Sequence, residues 1–154
     1  MTMKFSTGYR NGAAAAALGT VPGAALMSGC VLMIYSGTKP ASADDALGGA
    51  TLLATYSKGG SSAPLTWSAP SGGSATKPSG DVWSATAVAT GTPTFFRYQD
   101  PADAGALSTT AIRIQGDVGL VSDPYVELGL SSLAIVNGAP LTIDAGSATV
   151  PSST

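Results

Sequence analysis

Cys30-Val31-Leu32-Met33-Ile34-Tyr35-Ser36-Gly37-Thr38-Lys39-Pro40 is the stretch that decides the fold, because six apolar residues run directly into a cluster of turn residues. A short apolar run bounded by Gly and Pro is typical of a buried β-strand. The same pattern predicts further strands at residues 51–56, 65–68, 82–89, 94–98, 110–115, 125–128, 133–136, 141–143 and 148–150. Short strands at this spacing predict an all-β protein, a sandwich or a barrel.

Two turn sequences predict which strands are neighbours. Asn137-Gly138 tolerates the positive φ of a tight turn, so it predicts a hairpin between residues 133–136 and 141–143. Thr90-Gly91-Thr92-Pro93 predicts a second hairpin, which joins residues 82–89 to residues 94–98.

Alternation along two strands predicts their faces. In residues 110–115, Ile112 and Ile114 point to one side and Arg113 and Gln115 to the other, as in a strand with one solvent face. In residues 94–98, we expect the core face to carry Phe96 and Tyr98. The two tryptophans, at positions 67 and 83, are large apolar side chains that we also place in the core.

The first 29 residues are predicted to be an N-terminal arm followed by a short Ala-rich helix, with the β-sandwich domain at residues 30–154. Asn11 is the expected N-cap of a helix over residues 13–18, and Gly19 is expected to end it. Pro22-Gly23 then marks a turn before the first long strand.

The segment before Cys30 allows two interpretations. Leu26-Met27-Ser28-Gly29-Cys30 resembles a bacterial lipoprotein cleavage site, which would make the chain a lipid-anchored surface module. The preceding segment is interrupted by Gly19, Pro22 and Gly23, however, and the apolar run that follows is expected to be a buried strand. The favoured interpretation is that Cys30 is a small core side chain, and no transmembrane helix is expected.

The composition argues against catalysis and against nucleic-acid binding. The 154 residues include no histidine, one cysteine and only 10% charged side chains, so an ordinary catalytic triad is not possible. Asp44-Asp45 and Asp100-Pro101-Ala102-Asp103 are interpreted as turns with aspartate capping rather than as acid–base or calcium sites. We expect no enzyme activity, cofactor or metal. No patch for nucleic acid is expected either, since the basic residues are scattered at Lys4, Arg10, Lys39, Lys58, Lys77, Arg97 and Arg113.

Several short motifs carry a resemblance to a known group of proteins. They are Lys4-Phe5-Ser6-Thr7-Gly8-Tyr9-Arg10-Asn11, Ile34-Tyr35-Ser36-Gly37-Thr38-Lys39-Pro40-Ala41-Ser42-Ala43-Asp44, Leu52-Leu53, Trp83 with Ala85, Ala89-Thr90-Gly91-Thr92-Pro93-Thr94-Phe95-Phe96-Arg97 and Arg113-Ile114-Gln115-Gly116-Asp117-Val118-Gly119. In their order along the chain they resemble small structural proteins of tailed bacteriophages. They are similar in character to the jelly-roll cement, or decoration, proteins on the outside of phage heads.

The resemblance implies a jelly-roll virion protein that is made in the host cytoplasm and binds the outer capsid surface. Its partners would be the major capsid protein and further copies of itself, as dimers or trimers, with no membrane or nucleic acid involved. Phe5, Tyr9 and Arg10 are the candidate partner contacts, because an arm that becomes ordered on a partner can fill pockets with such side chains. Tail or neck components share this composition, and a carbohydrate-binding sandwich that uses Trp67 or Trp83 is a further alternative.

Overall fold

The computed structural model describes residues 3–19 and 26–149 of the chain. Within these ranges lie the helix α1 (Thr7–Ala17) and the strands β1 (Lys4–Phe5), β2 (Val31–Ser36), β3 (Thr51–Lys58), β4 (Ser74–Thr76), β5 (Trp83–Thr86), β6 (Phe95–Gln99), β7 (Arg113–Leu120), β8 (Leu128–Leu130), β9 (Pro140–Ile143) and β10 (Ser147–Thr149). The protein is therefore all-β apart from one short helix, as predicted. The predicted turn at residues 22–23 and the last residue of the predicted strand 148–150 lie outside the described residues.

One large sheet organises the molecule. Its strands follow the order β1-β7-β6-β2-β3-β5-β9, and β8 pairs with β7 along part of the same edge as β1. All neighbours are antiparallel except β7 and β8, and β4 and β10 form a separate two-stranded ribbon. This arrangement is consistent with a sandwich, and the jelly-roll topology stays a prediction.

The first face of the large sheet carries the main apolar core. Leu32 lies opposite Tyr98 and Ile34 opposite Phe96 across β2 and β6, so these four side chains share a face. All four are buried in one cluster with Trp83 of β5. The predicted core positions of Phe96, Tyr98 and Trp83 are thus confirmed. Each such side chain contributes about 1.5–3 kcal/mol by its removal from water.

The opposite face is also buried, but much of it is polar. Arg97 and Gln99 of β6 and Arg113 and Gln115 of β7 are at most 1% exposed, and we call these four side chains the polar layer. Two covering loops, residues 37–50 and 100–112, lie over them and accept their hydrogen bonds. The prediction that Arg113 and Gln115 face solvent was therefore wrong, because covering loops on a sheet exclude water from both faces.

The N-terminal residues are attached to the sheet, which corrects the prediction of an extended arm for described residues 3–11. Lys4 and Phe5 form β1 and pair with Gln115 and Ile114 of β7. Helix α1 starts directly afterwards with Ser6 as its N-cap, whose Oγ accepts a hydrogen bond from the Tyr9 N–H at 3.1 Å. Asn11, the expected N-cap, lies inside the helix instead, because Ser6 caps the Tyr9 N–H and so allows the helix to begin at Thr7. The domain boundary at residue 30 stays a prediction.

Neither predicted hairpin forms. The Gly138 N–H donates to the Ala87 carbonyl at 2.8 Å, and the Ala87 N–H donates to the Ala139 carbonyl at 2.9 Å, so the Asn-Gly turn folds onto β5. As a result β9 pairs with β5, and residues 133–136 contribute only an isolated bridge between Ile135 and Gly91. Strands β5 and β6, the other predicted hairpin, are not neighbours. Residues 65–68 form a loop rather than a strand, although Leu65 is buried.

Candidate interaction surface

The acidic residues that the sequence singled out are engaged in structural contacts. Asp44 accepts hydrogen bonds from the Thr7 N–H at 2.8 Å and from the Thr7 hydroxyl at 2.7 Å. The Thr7 hydroxyl bond is the main reason that the pKa of Asp44 lies below its ordinary value. Asp45 accepts the Ser42 N–H at 2.8 Å. In residues 3–19 and 26–149, no group of three or more Cys, Asp or Glu side chains is placed to hold a metal ion.

The predicted turn at residues 100–103 is confirmed, and it has a further role that the sequence did not reveal. Asp100 accepts the Ala102 N–H at 2.8 Å, as expected of a capping aspartate. Asp103 forms a two-point ion pair with Arg113 of the polar layer, at 2.6 Å to Nε and 2.7 Å to Nη2. Burial alone raises the pKa of Asp103, but the hydrogen bonds from Arg113 and Gly105 and the nearby arginine charges outweigh it and lower that pKa.

The polar layer is an internal scaffold and does not present an accessible binding site. Arg97 donates from Nε to Gln115 Oε1 at 2.9 Å and from Nη2 to the Asp45 carbonyl at 2.8 Å. Gln115 donates to the Pro40 carbonyl at 2.8 Å. These bonds tie the first covering loop to β6 and β7. The second is tied by the Arg113–Asp103 ion pair and by Gln99, which donates to the Asp103 carbonyl at 2.8 Å, so the polar layer holds both loops in place.

The three candidate contact residues of the N-terminal segment are brought together on one edge of the molecule. The Phe5 and Tyr9 rings are stacked, with centroids 4.9 Å apart and an interplanar angle of 29°. Phe5 is 41% exposed, although it belongs to a strand. Arg10 is exposed and donates from Nη2 to the Thr7 hydroxyl at 2.9 Å, which directs its guanidinium toward the first turn of α1.

An apolar groove continues from this edge across the first face of the sheet. Its volume is about 930 Å³, and Met3 and Tyr9 line it on the N-terminal side. Trp67, Trp83 and Tyr98 line it deeper in, together with segments of β8 and β10. Because Tyr9 belongs to both features, the Phe5–Tyr9 stack and the groove form one continuous surface, which we call the aromatic surface.

A ring contact joins the two tryptophans of the aromatic surface, and a hydrogen bond also holds Trp67. The Trp67 and Trp83 rings meet edge to face, with centroids 4.9 Å apart. Trp67 donates from Nε1 to the Tyr98 hydroxyl at 3.0 Å, and burial raises the pKa of Tyr98 to about 12. Trp67 is only half-buried, so its predicted place in the core is only partly correct, and it stays available for contact.

A second exposed apolar feature was not anticipated from the sequence. The loop between β7 and β8 exposes Val121 and Tyr125, and Tyr125 is 71% exposed. The loop is ordered locally, since the Asp123 carboxylate accepts the Tyr125 N–H at 2.9 Å and the Val121 N–H donates to the Leu130 carbonyl at 2.9 Å. Its only sequence signal was the pair of turn residues Asp123-Pro124, which does not indicate exposure of the flanking apolar side chains.

Cys30 lies in the core, as the favoured interpretation predicted. It is buried in the main apolar cluster, and its carbonyl accepts the Leu65 N–H at 3.0 Å. Burial, with smaller contributions from Asp100 and Asp103, raises the pKa of the thiol to about 11. Among the described residues, no helix has the length and apolar character needed to cross a membrane.

Comparisons with known proteins leave the identity of the chain open. No protein-family model matches it, and neither a curated protein sequence nor a solved structure is similar enough to count as a match.

Proposed function

We propose that the chain is a structural protein of a tailed-phage virion that binds the outer surface of the head as a decoration, or cement, protein. The observation that carries this proposal is the aromatic surface, where the exposed Phe5 ring at the sheet edge stacks on the half-buried Tyr9 ring, and the exposed Arg10 follows directly in the chain. Exposed aromatic and arginine side chains beside an apolar groove are typical of protein–protein contacts. The resemblance of the short motifs to phage structural proteins supplies the kind of partner, the major capsid protein.

The proposed attachment is largely apolar. A specific interface buries about 800 Å² on each partner, and the aromatic surface offers a largely apolar patch on which such a contact can be centred. With a formal net charge of −2 and few charged side chains, long-range attraction contributes little. Binding should therefore depend only weakly on moderate salt, since screening affects mainly exposed charges.

The proposed role is mechanical rather than catalytic, and it requires no cofactor. A protein that binds the closed capsid lattice but not the opened one stabilises the closed form by mass action. The contribution of each copy grows with the logarithm of its concentration relative to its dissociation constant. Self-association into dimers or trimers on the head would link more capsid subunits through each attachment.

Co-sedimentation with phage heads that lack the protein tests this proposal. Phe5→Ala and Tyr9→Ala each remove one ring of the stack, and we expect occupancy at a fixed concentration to fall by about 10-fold or more, as for an interface hot spot. Leu107→Ala is the matched control, because Leu107 is 72% exposed but lies in the second covering loop. The control should bind like the unchanged chain.

Two outcomes would contradict the proposal. One is that the unchanged chain does not bind heads at all. If it binds tails or necks instead, the result favours a tail or neck component. The other is that Phe5→Ala, Tyr9→Ala and Leu107→Ala all bind equally, which would remove the aromatic surface from the contact. A second test heats decorated and undecorated heads with a DNA-binding dye, and decoration should raise the temperature at which the genome is released.

A further inference from the structure

We propose that residues 4–17, comprising β1 and α1, form a latch that opens as a unit while the rest of the sheet stays folded. The closed latch is the state that the structure shows, with Phe5, Tyr9 and Arg10 held in one arrangement. The role of the latch, which is to present these contact residues to the capsid, rests on the proposed function. The opening itself is a property of the free protein.

The attachment of the latch is concentrated at Ser6. This residue is fully buried, and its N–H donates to the Arg113 carbonyl at 3.0 Å. Its hydroxyl donates to the Ala111 carbonyl at 2.7 Å and accepts the Arg113 N–H at 2.9 Å. Ser6 therefore connects the start of α1 to the start of β7 through three short bonds.

A second set of polar contacts joins the latch to the first covering loop. Asp44 accepts both the N–H and the hydroxyl of Thr7. Lys4 donates from Nζ to the Ala41 carbonyl at 2.6 Å. The negative charge of Asp44 also interacts favourably with the positive end of the helix dipole at the first turn of α1.

Little apolar burial supports these polar contacts. Helix α1 contains no buried residue, and β1 contributes only two residues to the sheet. An alanine-rich helix of 11 residues is marginal on its own in water, so it holds its shape only while it is docked. Segments with few buried apolar contacts open at a lower free energy than the whole fold. The latch therefore has few contacts to lose when it opens, whereas β2 and β6 lie in the buried centre of the sheet.

The docking also depends on a close backbone approach at Gly8. A Cβ atom at this position would lie 2.3 Å from the Thr110 carbonyl oxygen and 2.6 Å from the Ala111 carbonyl oxygen. Backbone atoms of the second covering loop cannot move aside as a side chain can. Gly8→Ala should therefore open the latch, although alanine is the better helix former.

Hydrogen exchange followed by mass spectrometry on the free protein tests the latch. In the unchanged chain, we expect amides of α1 to exchange at least about 100-fold faster than those of β2 and β6. Gly8→Ala should raise the α1 rates by about 10-fold or more and change those of β2 and β6 by less than about two-fold. The matched control is Gly12→Ala, since the atoms nearest to a Cβ there belong to the flexible Leu26 side chain and not to a backbone. It gives the same gain in helix propensity and should not accelerate exchange.

Trypsin gives a second readout of the same opening. Cleavage after Arg10 requires α1 to leave the sheet, so Gly8→Ala should accelerate cut formation at that bond by the same factor as the exchange. Asp44→Asn, which weakens the Thr7 contacts, should also accelerate it. Asp45→Asn should not, because within residues 3–19 and 26–149 the Asp45 carboxylate bonds to the Ser42 N–H of its own loop and not to α1.

Equal exchange rates in α1, β2 and β6 would overturn the inference, because the latch would then open only with the whole protein. Equal acceleration of all three elements by Gly8→Ala would overturn it as well. Both measurements use the protein without phage heads, so failure to bind heads would contradict the proposed function and leave the latch standing. Conversely, heads that bind Gly8→Ala and the unchanged chain equally, with a confirmed latch, would show that opening does not control docking.

Discussion

Replacing Asp103 with asparagine tests the ion pair that ties the second covering loop to the sheet. The Arg113 side chain is only 1% exposed and that of Asp103 13%, so the pair is well shielded from solvent. Asparagine keeps the size of the side chain and removes its charge. Arg113 would then keep at most one of its two side-chain acceptors at position 103, the amide oxygen, together with the carbonyls of Ala106 at 2.8 Å, Ala43 at 3.3 Å and Asp44 at 3.4 Å.

The expected cost follows from this arrangement. Removing one partner of a fully buried ion pair costs about 3–5 kcal/mol, because the other charge stays buried without compensation. The partial exposure of Asp103 and the remaining carbonyl acceptors reduce this cost, so we expect Asp103→Asn to lower the free energy of unfolding by about 2–3 kcal/mol. In a domain of this size, that corresponds to a fall in Tm of roughly 5–10 °C.

Urea unfolding at pH 7 measures this effect, and Asp100→Asn is the control. Asp100 lies in the same turn but is exposed, and asparagine can still accept the Ala102 N–H, so a loss below about 0.5 kcal/mol is expected. A double-mutant cycle with Arg113→Met gives the interaction free energy between the two side chains, separate from the effect of each single substitution. An Asp103→Asn variant as stable as the control would refute the reasoning that the ion pair compensates a buried charge.

The same pair predicts how stability depends on pH. The pKa of Asp103 is lower in the folded protein than its ordinary value, and the pKa of Asp44 is lowered as well. A lowered pKa means that the folded state favours the charged carboxylate. The stability that such a carboxylate contributes is fully present when the pH is above its pKa in the unfolded chain. It is lost as the pH falls through its pKa in the folded protein. Unfolding free energies should therefore be level near neutrality and decline below about pH 4, and less steeply in Asp103→Asn.

Three further substitutions or treatments have defined outcomes. Gly116→Ala places a Cβ 2.6 Å from the Phe96 ring in the main core, so urea unfolding should show a loss of about 1–3 kcal/mol, and a neutral effect would mean that the ring can move aside. The buried Trp83 Nε1 has no hydrogen-bond partner among the described residues, so Trp83→Phe should cost less than a typical truncation of a core aromatic residue, under about 2 kcal/mol by the same assay. Cys30 should react with a thiol reagent only at the rate of global unfolding, because its thiol is buried and its pKa is about 11, and rapid labelling of the native protein would contradict its placement.

Strands β2, β3 and β6 could be predicted from sequence because each is an apolar run that ends at turn residues. The pairing of strands could not be predicted with the same success. Asn137-Gly138 does form a turn, and Gly138 adopts a φ of +83°, but the residues before it lie beside Gly91 instead of β9. A turn motif describes only its own backbone, whereas the partner of a strand depends on burial against distant segments.

The polar layer shows a different limit of sequence reasoning. Alternation in β7 separates Arg113 and Gln115 from Ile114 correctly, but it does not say which side water reaches. The groups that bury the polar residues are largely backbone carbonyls, such as those of Pro40, Ala43 and Asp45, together with the single carboxylate of Asp103. Every residue type carries a carbonyl, so a covering loop leaves little compositional signal.

The candidate contact residues were identified, but their setting was not. Phe5 and Tyr9 are the two aromatic residues before β2, so their choice followed from composition. Their stacking depends on the start of α1 at Thr7, which was predicted six residues too late in the chain. The groove beside them was not foreseen, because Trp67 reaches it from a loop rather than from a predicted strand.

A cryo-EM structure of phage heads saturated with the purified chain tests the central claim most directly. The account predicts ordered density on the outer surface of the head, with the edge that carries Phe5, Tyr9 and Arg10 against the major capsid protein. It also predicts that the folded sheet matches the free structure, since the polar layer holds its covering loops in place. Heads without such density, or bound copies in which the Phe5–Tyr9 stack faces solvent, would contradict the account.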